Sequence, residues 1–248
     1  MQKILSQVRR ACQDYNLIEE NDKIAIGLSG GKDSLTLVKA LAMYARFSPQ
    51  KFTIEVITID LFNGTSNTSK LKEFCEDLGV NLTVIKSDIY SVLFEKRKEK
   101  NPCSLCSKMR RGALNQKALE LGCNKVALGH HADDLIETFF LSMFYEGRLS
   151  TFHPISYMDR TKLTVIRPLL YVKEKNIIGI VNKYNFPVLY NCCPADKKTK
   201  REYVKQLLKS IQKDVPNVQE RIFGAVTNPD RYNLLDKTFE ILNSSKNK

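Results

Sequence analysis

A chain of 248 residues can bury one large α/β core with a small extension, and 43% hydrophobic with 27% charged residues is the balance of a water-exposed globular protein. No apolar stretch approaches the ~20 residues that span a bilayer, and Met1-Gln2-Lys3-Ile4-Leu5-Ser6-Gln7-Val8-Arg9-Arg10 lacks the continuous apolar core of a signal peptide, so a cytoplasmic protein is expected. Lysine and arginine total 39 against 27 acidic residues, a formal charge of +12. That suits a nucleic acid better than an anionic membrane, because no basic amphipathic helix carries bulky apolar anchors.

In chain order, residues 3–16 read as an amphipathic entry helix with Ile4, Val8, Ala11 and Tyr15 on one side. Lys23 to Leu28 is a buried strand, followed by a helix marked by Leu35, Val38, Leu41, Ala42 and Ala45. Phe52 to Asp60 is a second, β-branched strand; Ser69 caps a helix to about Leu78 that Gly79 stops, and Asn81 to Lys86 is a third strand. The lysine-rich stretch Glu95 to Lys100 leads through Asn101-Pro102 to a helix over about 107–121 that ends at Gly122. Lys125 to Gly129 is a fourth strand, Asp133 to Tyr145 a helix, and Leu163 to Arg167 a fifth strand. Beyond Phe186-Pro187 the chain is polar and helical. The alternation predicts an α/β fold, a doubly wound, mostly parallel five-stranded sheet with its ligand crevice at the carboxyl ends of the strands. The expected organisation is an N-terminal helix over 1–22, the α/β domain over 23–190 and a helical extension over 191–248, its tail Ser244 to Lys248 polar.

Ser29-Gly30-Gly31-Lys32-Asp33-Ser34 lies where the first strand turns into the first helix of the sheet. Gly30 and Gly31 permit a tight turn, the open amides of the helix start face a ligand, and Lys32, Ser29 and Ser34 add donors, so the site favours phosphate. It is not a Walker A loop, whose glycine-spanned segment is longer. Asp33 would repel phosphate unless a divalent cation stood between them, which points to Mg²⁺. The hexapeptide resembles the PP-loop of ATP pyrophosphatases, which split ATP between its α- and β-phosphates and adenylate a carbonyl oxygen. The plainer alternative is a glycine turn with a solvated Lys-Asp pair.

Gly129-His130-His131-Ala132-Asp133-Asp134 follows the fourth strand and opens into the same crevice. Acidic residues in a first helical turn are ordinary dipole partners, but two histidines before two carboxylates exceed what capping needs. A cluster that holds Mg²⁺ or steers a proton beside a triphosphate is the preferred reading.

Cys103-Ser104-Leu105-Cys106 supplies two soft ligands, and Cys192-Cys193, before Pro194-Ala195-Asp196, can supply a third. Three readings stand: a structural zinc, which wants a fourth ligand; a redox dithiol; and a three-cysteine iron–sulfur cluster whose open iron position suits carrying sulfur. Cys12, Cys75 and Cys123 read as buried structural thiols. With seven cysteines, an odd number, and no export signal, a disulfide framework is not expected. Basic runs at 96–100, at Lys108, Arg110 and Arg111, and at 197–201 flank the cysteines. They read as a phosphate-tracking surface for an RNA with splayed-out loop bases, or as solvated charge.

Taken in order, the PP-loop, the CxxC, Gly-His-His-x-Asp-Asp and the late cysteine resemble the tRNA 2-thiocytidine synthetase family. Arg110-Arg111-Gly112, Glu137-Thr138, Met143-Phe144-Tyr145-Glu146-Gly147 and Ile166-Arg167-Pro168-Leu169 match as well. The resemblance spans roughly residues 20–210. Related uridine thiolases carry early and late zinc-binding cysteine pairs that this chain lacks, and lysidine synthetases lack the cysteine trio. It implies strand order 3-2-1-4-5 and an ATP-dependent tRNA sulfurtransferase with ATP, Mg²⁺ and a 4Fe-4S cluster as cofactors. It implies a nucleotide site of Ser29, Gly30, Gly31, Lys32, Asp33, Ser34, Asp60, Gly129, His130 and Asp134, with Mg²⁺ at Asp33 and Asp133. The 2-carbonyl of an anticodon-loop cytidine is adenylated, then attacked by sulfur carried on a cluster held by Cys103, Cys106 and a late cysteine. The family often has Cys-x-x-Cys in that late segment; here the two are adjacent, and Cys193 is taken as the ligand with Cys192 as fallback. Expected partners are tRNA, a sulfur donor (a cysteine desulfurase or free sulfide) and optionally a second copy of the chain, with no membrane. The alternatives are thiolation of a tRNA uridine, a PP-loop ligase or amidotransferase with structural zinc, and a non-catalytic RNA-binding module.

Overall fold

The structure, a computed structural model, describes residues 1–61, 64, 67–96, 102–189, 200–228, 230, 232 and 234, without the side chains of 94–96 and 103. Its strands are β1 (Asp22–Gly27), β2 (Phe52–Asp60), β3 (Asn81–Lys86), β4 (Lys125–Ala127), β5 (Ile155–Met158) and β6 (Leu163–Ile166). They form one sheet in the order β3-β2-β1-β4-β6-β5. All pairings are parallel except the β5–β6 hairpin. The five parallel strands keep the order 3-2-1-4-5, with β6 as the expected fifth.

The sheet has a sixth strand where five are expected. In β5 the apolar Ile155 and Tyr157 face outward and Ser156 and Met158 are half-buried, so the alternation runs opposite to the pattern that marks a half-buried strand. Hairpin pairing to β6, closed over Lys162 at φ +56°, makes it a strand.

The helices are α1 (Gln2–Asp14), α2 (Lys32–Tyr44), α3 (Ser69–Asp77), α4 (Pro102–Glu120), α5 (Ala132–Glu146), α6 (Glu174–Lys183), α7 (Lys200–Asp214) and α8 (Val218–Thr227), with a wide π-type turn at Ser91–Lys96. α4 begins five residues before the expected 107. Pro102 takes the first helical position, where its missing N–H costs nothing, and the cysteine pair therefore lies within the helix. Ser69 opens α3 instead of capping it: Thr68 is the N-cap, and Asn67 Oδ1 accepts from the Ser69 N–H and Oγ–H. α6 falls where the periodicity names no element; only Ile177 and Ile180 of its ten residues are buried.

Two apolar layers sandwich the sheet. On one face Ile24, Ile26 and Val56 pack with Ile4 and Val8 of α1, Leu35 and Leu41 of α2, Cys75 of α3 and Ile177 of α6. On the other, Ala25, Ile57 and Val126 pack with Leu114 and Ala118 of α4. Because β1 and β4 are covered on both sides, they read as near-continuous apolar runs. Ile136 of α5 packs with Val204 and Leu208 of α7, so the C-terminal helix is docked on the α/β body. Strand order reverses between β1 and β4, and a doubly wound sheet opens its ligand crevice at such a reversal. Among the described residues no helix is long and apolar enough to cross a membrane.

Candidate nucleotide and sulfur-transfer site

The glycine turn leaves β1 at the reversal. Gly30 sits at φ +79°, and its carbonyl accepts the Leu189 N–H at 2.9 Å. A Cβ at Gly30 would meet the Leu189 side chain at 3.0 Å. Ser34 Oγ donates to Gly31 O (2.9 Å) and accepts from Ser29 N–H (3.2 Å), while Ser29 Oγ accepts from Gly31 N–H (3.3 Å). The two serines thus tie the turn to the first turn of α2. The helix start also presents backbone amides and a positive dipole end.

The second motif is pressed directly against this turn. A Cβ on Gly129 would lie 3.2 Å from the Asp33 carbonyl carbon and 3.3 Å from Ser34 N, so a side chain here would press the two backbones apart by a few tenths of an ångström. His131 N-caps α5: its Nδ1 accepts from Asp134 N–H (3.3 Å), and its own N–H donates to Asp134 Oδ2 (3.0 Å). The ring proton then resides on Nε2, which lies 3.5 Å from both Asp33 Oδ1 and Asp134 Oδ2.

Of the two adjacent acids, Asp134 faces Asp33. The Asp133 carboxylate accepts the Glu174 N–H at 2.7 Å, at the amino end of α6, where a carboxylate satisfies an open helix amide. Of the expected magnesium residues, Asp33 borders the cavity together with Asp134, whereas Asp133 does not.

A cavity of about 550 Å³ opens beside these groups, bordered by Lys32, Asp33, His131, Asp134, Glu174 and, from α7, Arg201 and Lys205. Lys32 Nζ lies 2.9 Å from Asp33 Oδ2 and 3.1 Å from Glu174 Oε1. Burial would lower the Lys32 pKa, but Asp33 and Glu174 outweigh it and raise it. Glu174 also takes Lys205 Nζ at 2.8 Å. Burial acts to raise its carboxyl, yet hydrogen bonds from Lys205 and Lys32 hold it down at about 2. Arg201 reaches Glu137 (3.0 Å), Asp134 (3.4 Å) and Thr138 Oγ1 (3.2 Å). Burial pushes Glu137 up, and Arg201 pulls it back.

Asp60 ends β2 beside β1 and is buried; its Oδ2 accepts the Gly64 N–H at 2.6 Å, and it does not border the cavity. His130 lies on the β6 side, where Arg167 Nε donates to its Nδ1 at 3.3 Å.

The cysteine pair is set by α4. This helix joins β3 to β4 as a crossover, so it runs antiparallel to the strands and starts at their carboxyl rim. Leu114 packs under Gly27, the last residue of β1. Cys106 stands eight residues earlier on α4, about 12 Å nearer its amino end at ~1.5 Å per residue. Positions 103 and 106 are three apart and share a helix face. Cys106 is half-buried. Cys192, Cys193 and Lys197 to Thr199 lie outside the described residues, as does the 97–100 part of the first basic run. Their flanks do not: Leu189 rests on Gly30, and Lys200 opens α7 one residue before Arg201, which borders the cavity. Among the described residues no three His, Cys, Asp or Glu are grouped as a metal site. Cys12, Cys75 and Cys123 are buried, and burial pushes the Cys12 thiol to about 12 and Cys75 to about 11.

The PP-loop domain profile matches residues 2–211. A tRNA-cytidine(32) 2-sulfurtransferase from Geotalea uraniireducens (strain Rf4) is 40% identical over 240 residues, covering 95% of this chain and 94% of that one. The chain belongs to the PP-loop tRNA-cytidine 2-sulfurtransferase family. The relative of the same name from Aliivibrio fischeri (strain MJ11) is 39% identical over 96% of this chain and 80% of its own. Among solved structures, the U34-tRNA thiolase NcsA from Methanococcus maripaludis, with its 4Fe-4S cluster, is similar with TM-score 0.72 over 94% of this chain and 81% of that one; at 23% identity the likeness is one of fold.

Within this PP-loop sulfurtransferase, three participants escape a sequence reading. Glu174 opens a helix with no conspicuous motif, and Lys205 looks like one more surface lysine on α7. Arg167 belongs to a stretch that matches the family, but nothing in its neighbours points at His130. Each acts across 30 or more residues of chain, beyond what local spacing encodes.

Proposed function

We propose that the protein acts in the cytoplasm to replace the 2-oxygen of cytidine 32 in tRNA with sulfur, using ATP. The observation that carries this reading is that the glycine turn and the amino end of α4, with its cysteine pair, share one rim of the sheet. The family relatives, matched over 94% and 80% of their own lengths, support the base assignment.

Ser29 to Ser34 would cradle the phosphates with Lys32. Asp33 and Asp134, facing each other across His131 Nε2, fit a hard cation that prefers carboxylate oxygens. Bound Mg²⁺ would neutralise the departing pyrophosphate. The cytidine 2-carbonyl oxygen attacks the α-phosphorus and pyrophosphate leaves. A sulfur nucleophile then adds at C2, and the C–O bond breaks to release AMP. Adenylation makes that oxygen a good leaving group. Cys103 and Cys106, with Cys193 or Cys192, form a thiolate set suited to a 4Fe-4S cluster with one open iron, which when bound supplies a position for sulfur from a desulfurase or free sulfide. Lys108, Arg110 and Arg111, just beyond the cysteine pair, would meet tRNA phosphates.

Anaerobic purification tests the reading. Brown protein with broad absorbance near 400 nm, the usual iron–sulfur region, and 2-thiocytidine formed on cytidine 32 in ATP-dependent assays are expected. Colourless, zinc-loaded protein without thiolation refutes it and favours a nitrogen-using PP-loop ligase. Lys32→Ala or Asp33→Ala should abolish adenylation and keep the colour; Cys103→Ala should lose the colour and keep ATP binding. Thiolation of a uridine instead would overturn the base assignment alone.

A further inference from the structure

His130 leaves β4 one residue after Gly129, and its ring lies on Phe152 with centroids 5.0 Å apart at 30°. Arg167, just past β6, is fixed on several sides. Its Nε donates to His130 Nδ1, its terminal NH1 meets His153 O and Ser156 Oγ, and its guanidinium stands over Phe152 at 5.2 Å. A guanidinium has no acceptor and stays charged. Nδ1 must therefore carry a lone pair, which leaves the ring proton on Nε2. Among the described residues Nε2 has no partner, and it is not one of the buried polar atoms that lack one. His130 is half-buried and does not itself border the cavity, but it stands one residue from the point where Gly129 touches Asp33 and Ser34.

We propose that Arg167 is a positioning residue that presents His130 Nε2–H as a fixed, neutral hydrogen-bond donor to a phosphate oxygen of the bound nucleotide. The inference rests on reading this rim as the ATP site. Burial first, then Arg167, with Arg201 and His131 adding and Asp134 opposing, holds the imidazole down at about 4. The ring thus neither gains nor loses its donor role between pH 6 and 9. It cannot serve as a base through Nδ1, which Arg167 occupies. A neutral imidazole used as a donor needs such enforcement, because an unrestrained histidine would exchange tautomers and titrate near neutrality.

Long-range ¹H–¹⁵N correlation spectra of the full-length ¹⁵N-histidine protein test this without any turnover. In the wild type His130 should show the Nε2–H tautomer down to about pH 5, with the Nε2 signal moving when a non-hydrolysable ATP analogue and Mg²⁺ are added. Arg167→Met should mix the tautomers and move the His130 titration from about 4 towards 6.5, carrying the acid limb of the rate profile with it; Arg167→Lys should restore part of both. His130→Gln, which keeps an N–H donor, should retain at least tenfold more activity than His130→Leu, given the ~100-fold cost of losing one such donor. A merely structural Arg167 would lower the melting temperature without changing tautomer or titration, and that result overturns the proposal. An Nδ1–H tautomer in the wild type, or no Nε2 response to the analogue while Lys32-dependent ATP binding persists, overturns it too. Absence of all ATP binding would instead sink the reading of the rim itself.

Discussion

Gly129→Ala is the sharpest test of how the two motifs depend on each other. The added methyl would sit 3.2 Å from the Asp33 carbonyl carbon, 3.3 Å from Asp33 O and 3.3 Å from Ser34 N. These are backbone atoms of the phosphate cradle and cannot swing aside as a side chain end could. Ordinary carbon contacts begin near 3.5 Å, so the first turn of α2 must retreat by a few tenths of an ångström. Forcing a methyl into a packed site costs about 1–3 kcal/mol. If the retreat is taken up by the cradle, ATP affinity falls about 5- to 150-fold, at 1.4 kcal/mol per decade. Titration calorimetry with a non-hydrolysable ATP analogue reads this directly, with thermal unfolding run in parallel. Gly112→Ala is the matched control: it lies within α4, and its added methyl meets nothing within 4 Å. It should stabilise the protein by roughly 0.5–1 kcal/mol through helix propensity and leave ATP affinity alone. If Gly129→Ala binds the analogue as the wild type does and melts no lower, the close approach of the two loops is not what shapes the cradle.

At the amino end of the central strands, away from the cavity, buried Lys125 holds Asp22 (2.8 Å), Glu19 (2.9 Å) and Leu17 O (3.2 Å). Lys125→Met removes the cation beside buried Asp22, leaving it only the Glu19 N–H and the Asn124 amide, and the urea midpoint should fall by an amount worth roughly 3 kcal/mol. Analogue affinity of the folded fraction should not change. Glu174 is held at about 2 against an ordinary 4.5, so its share of stability is whole above pH 4.5 and disappears as pH drops through 2. At 1.36 kcal/mol per unit that share is about 3 kcal/mol; the gap between wild type and Glu174→Gln in urea titrations should be widest above pH 5 and close by pH 2. In protein stripped of its cluster, iodoacetamide at pH 8 followed by peptide mass spectrometry should modify half-buried Cys106 well before Cys12 or Cys75, whose thiols burial has raised to about 12 and about 11. Equal labelling of all three would contradict the packing of α1 and α3.

The parallel sheet was legible because β1, β2 and β3 are short apolar or β-branched runs bounded by turn residues, and β2 and β3 fall at the expected residues. The edge strand β5 was not, since its apolar side chains face outward and only the hairpin defines it. The amino end of α4 was missed because Cys-Ser-Leu-Cys-Ser has no amphipathic period, while Pro102 at its first position carried the start signal. At the site, the glycine turn and Gly-His-His-x-Asp-Asp announce themselves as contiguous strings. Two properties do not. Asp133 and Asp134 look interchangeable in sequence, and only the placement of α6 commits Asp133 to the Glu174 N–H and leaves Asp134 facing Asp33. Lys205 and Arg201 reach the cavity through the docking of α7 on Ile136, and Glu174 reaches it from the amino end of α6, tertiary facts without a local pattern.

The charges around the cavity carry one more consequence. Lys32, Arg201 and Lys205 are outnumbered by Asp33, Asp134, Glu137, Glu174 and Glu202, three cations against five carboxylates. Each cation is already paired: Lys32 with Asp33 and Glu174, Lys205 with Glu174, Arg201 with Asp134 and Glu137. A bare triphosphate brings four more negative charges into this setting and can take Lys32 only by stripping it from carboxylates. Magnesium reverses the balance, because a divalent ion between Asp33 and Asp134 cancels the charge that holds Lys32 and frees it for phosphate. Analogue affinity should therefore drop at least about tenfold, or 1.4 kcal/mol, when EDTA replaces Mg²⁺. Asp33→Asn supplies the diagnostic crossover. By removing one of the two carboxylates that hold Lys32 and leaving only Glu174, it should bind the metal-free analogue more tightly than the wild type does, yet bind the magnesium complex less tightly. Calorimetry of both proteins with and without metal reads all four affinities. If Asp33→Asn weakens both forms alike, Asp33 serves the nucleotide by shape and not through a cation.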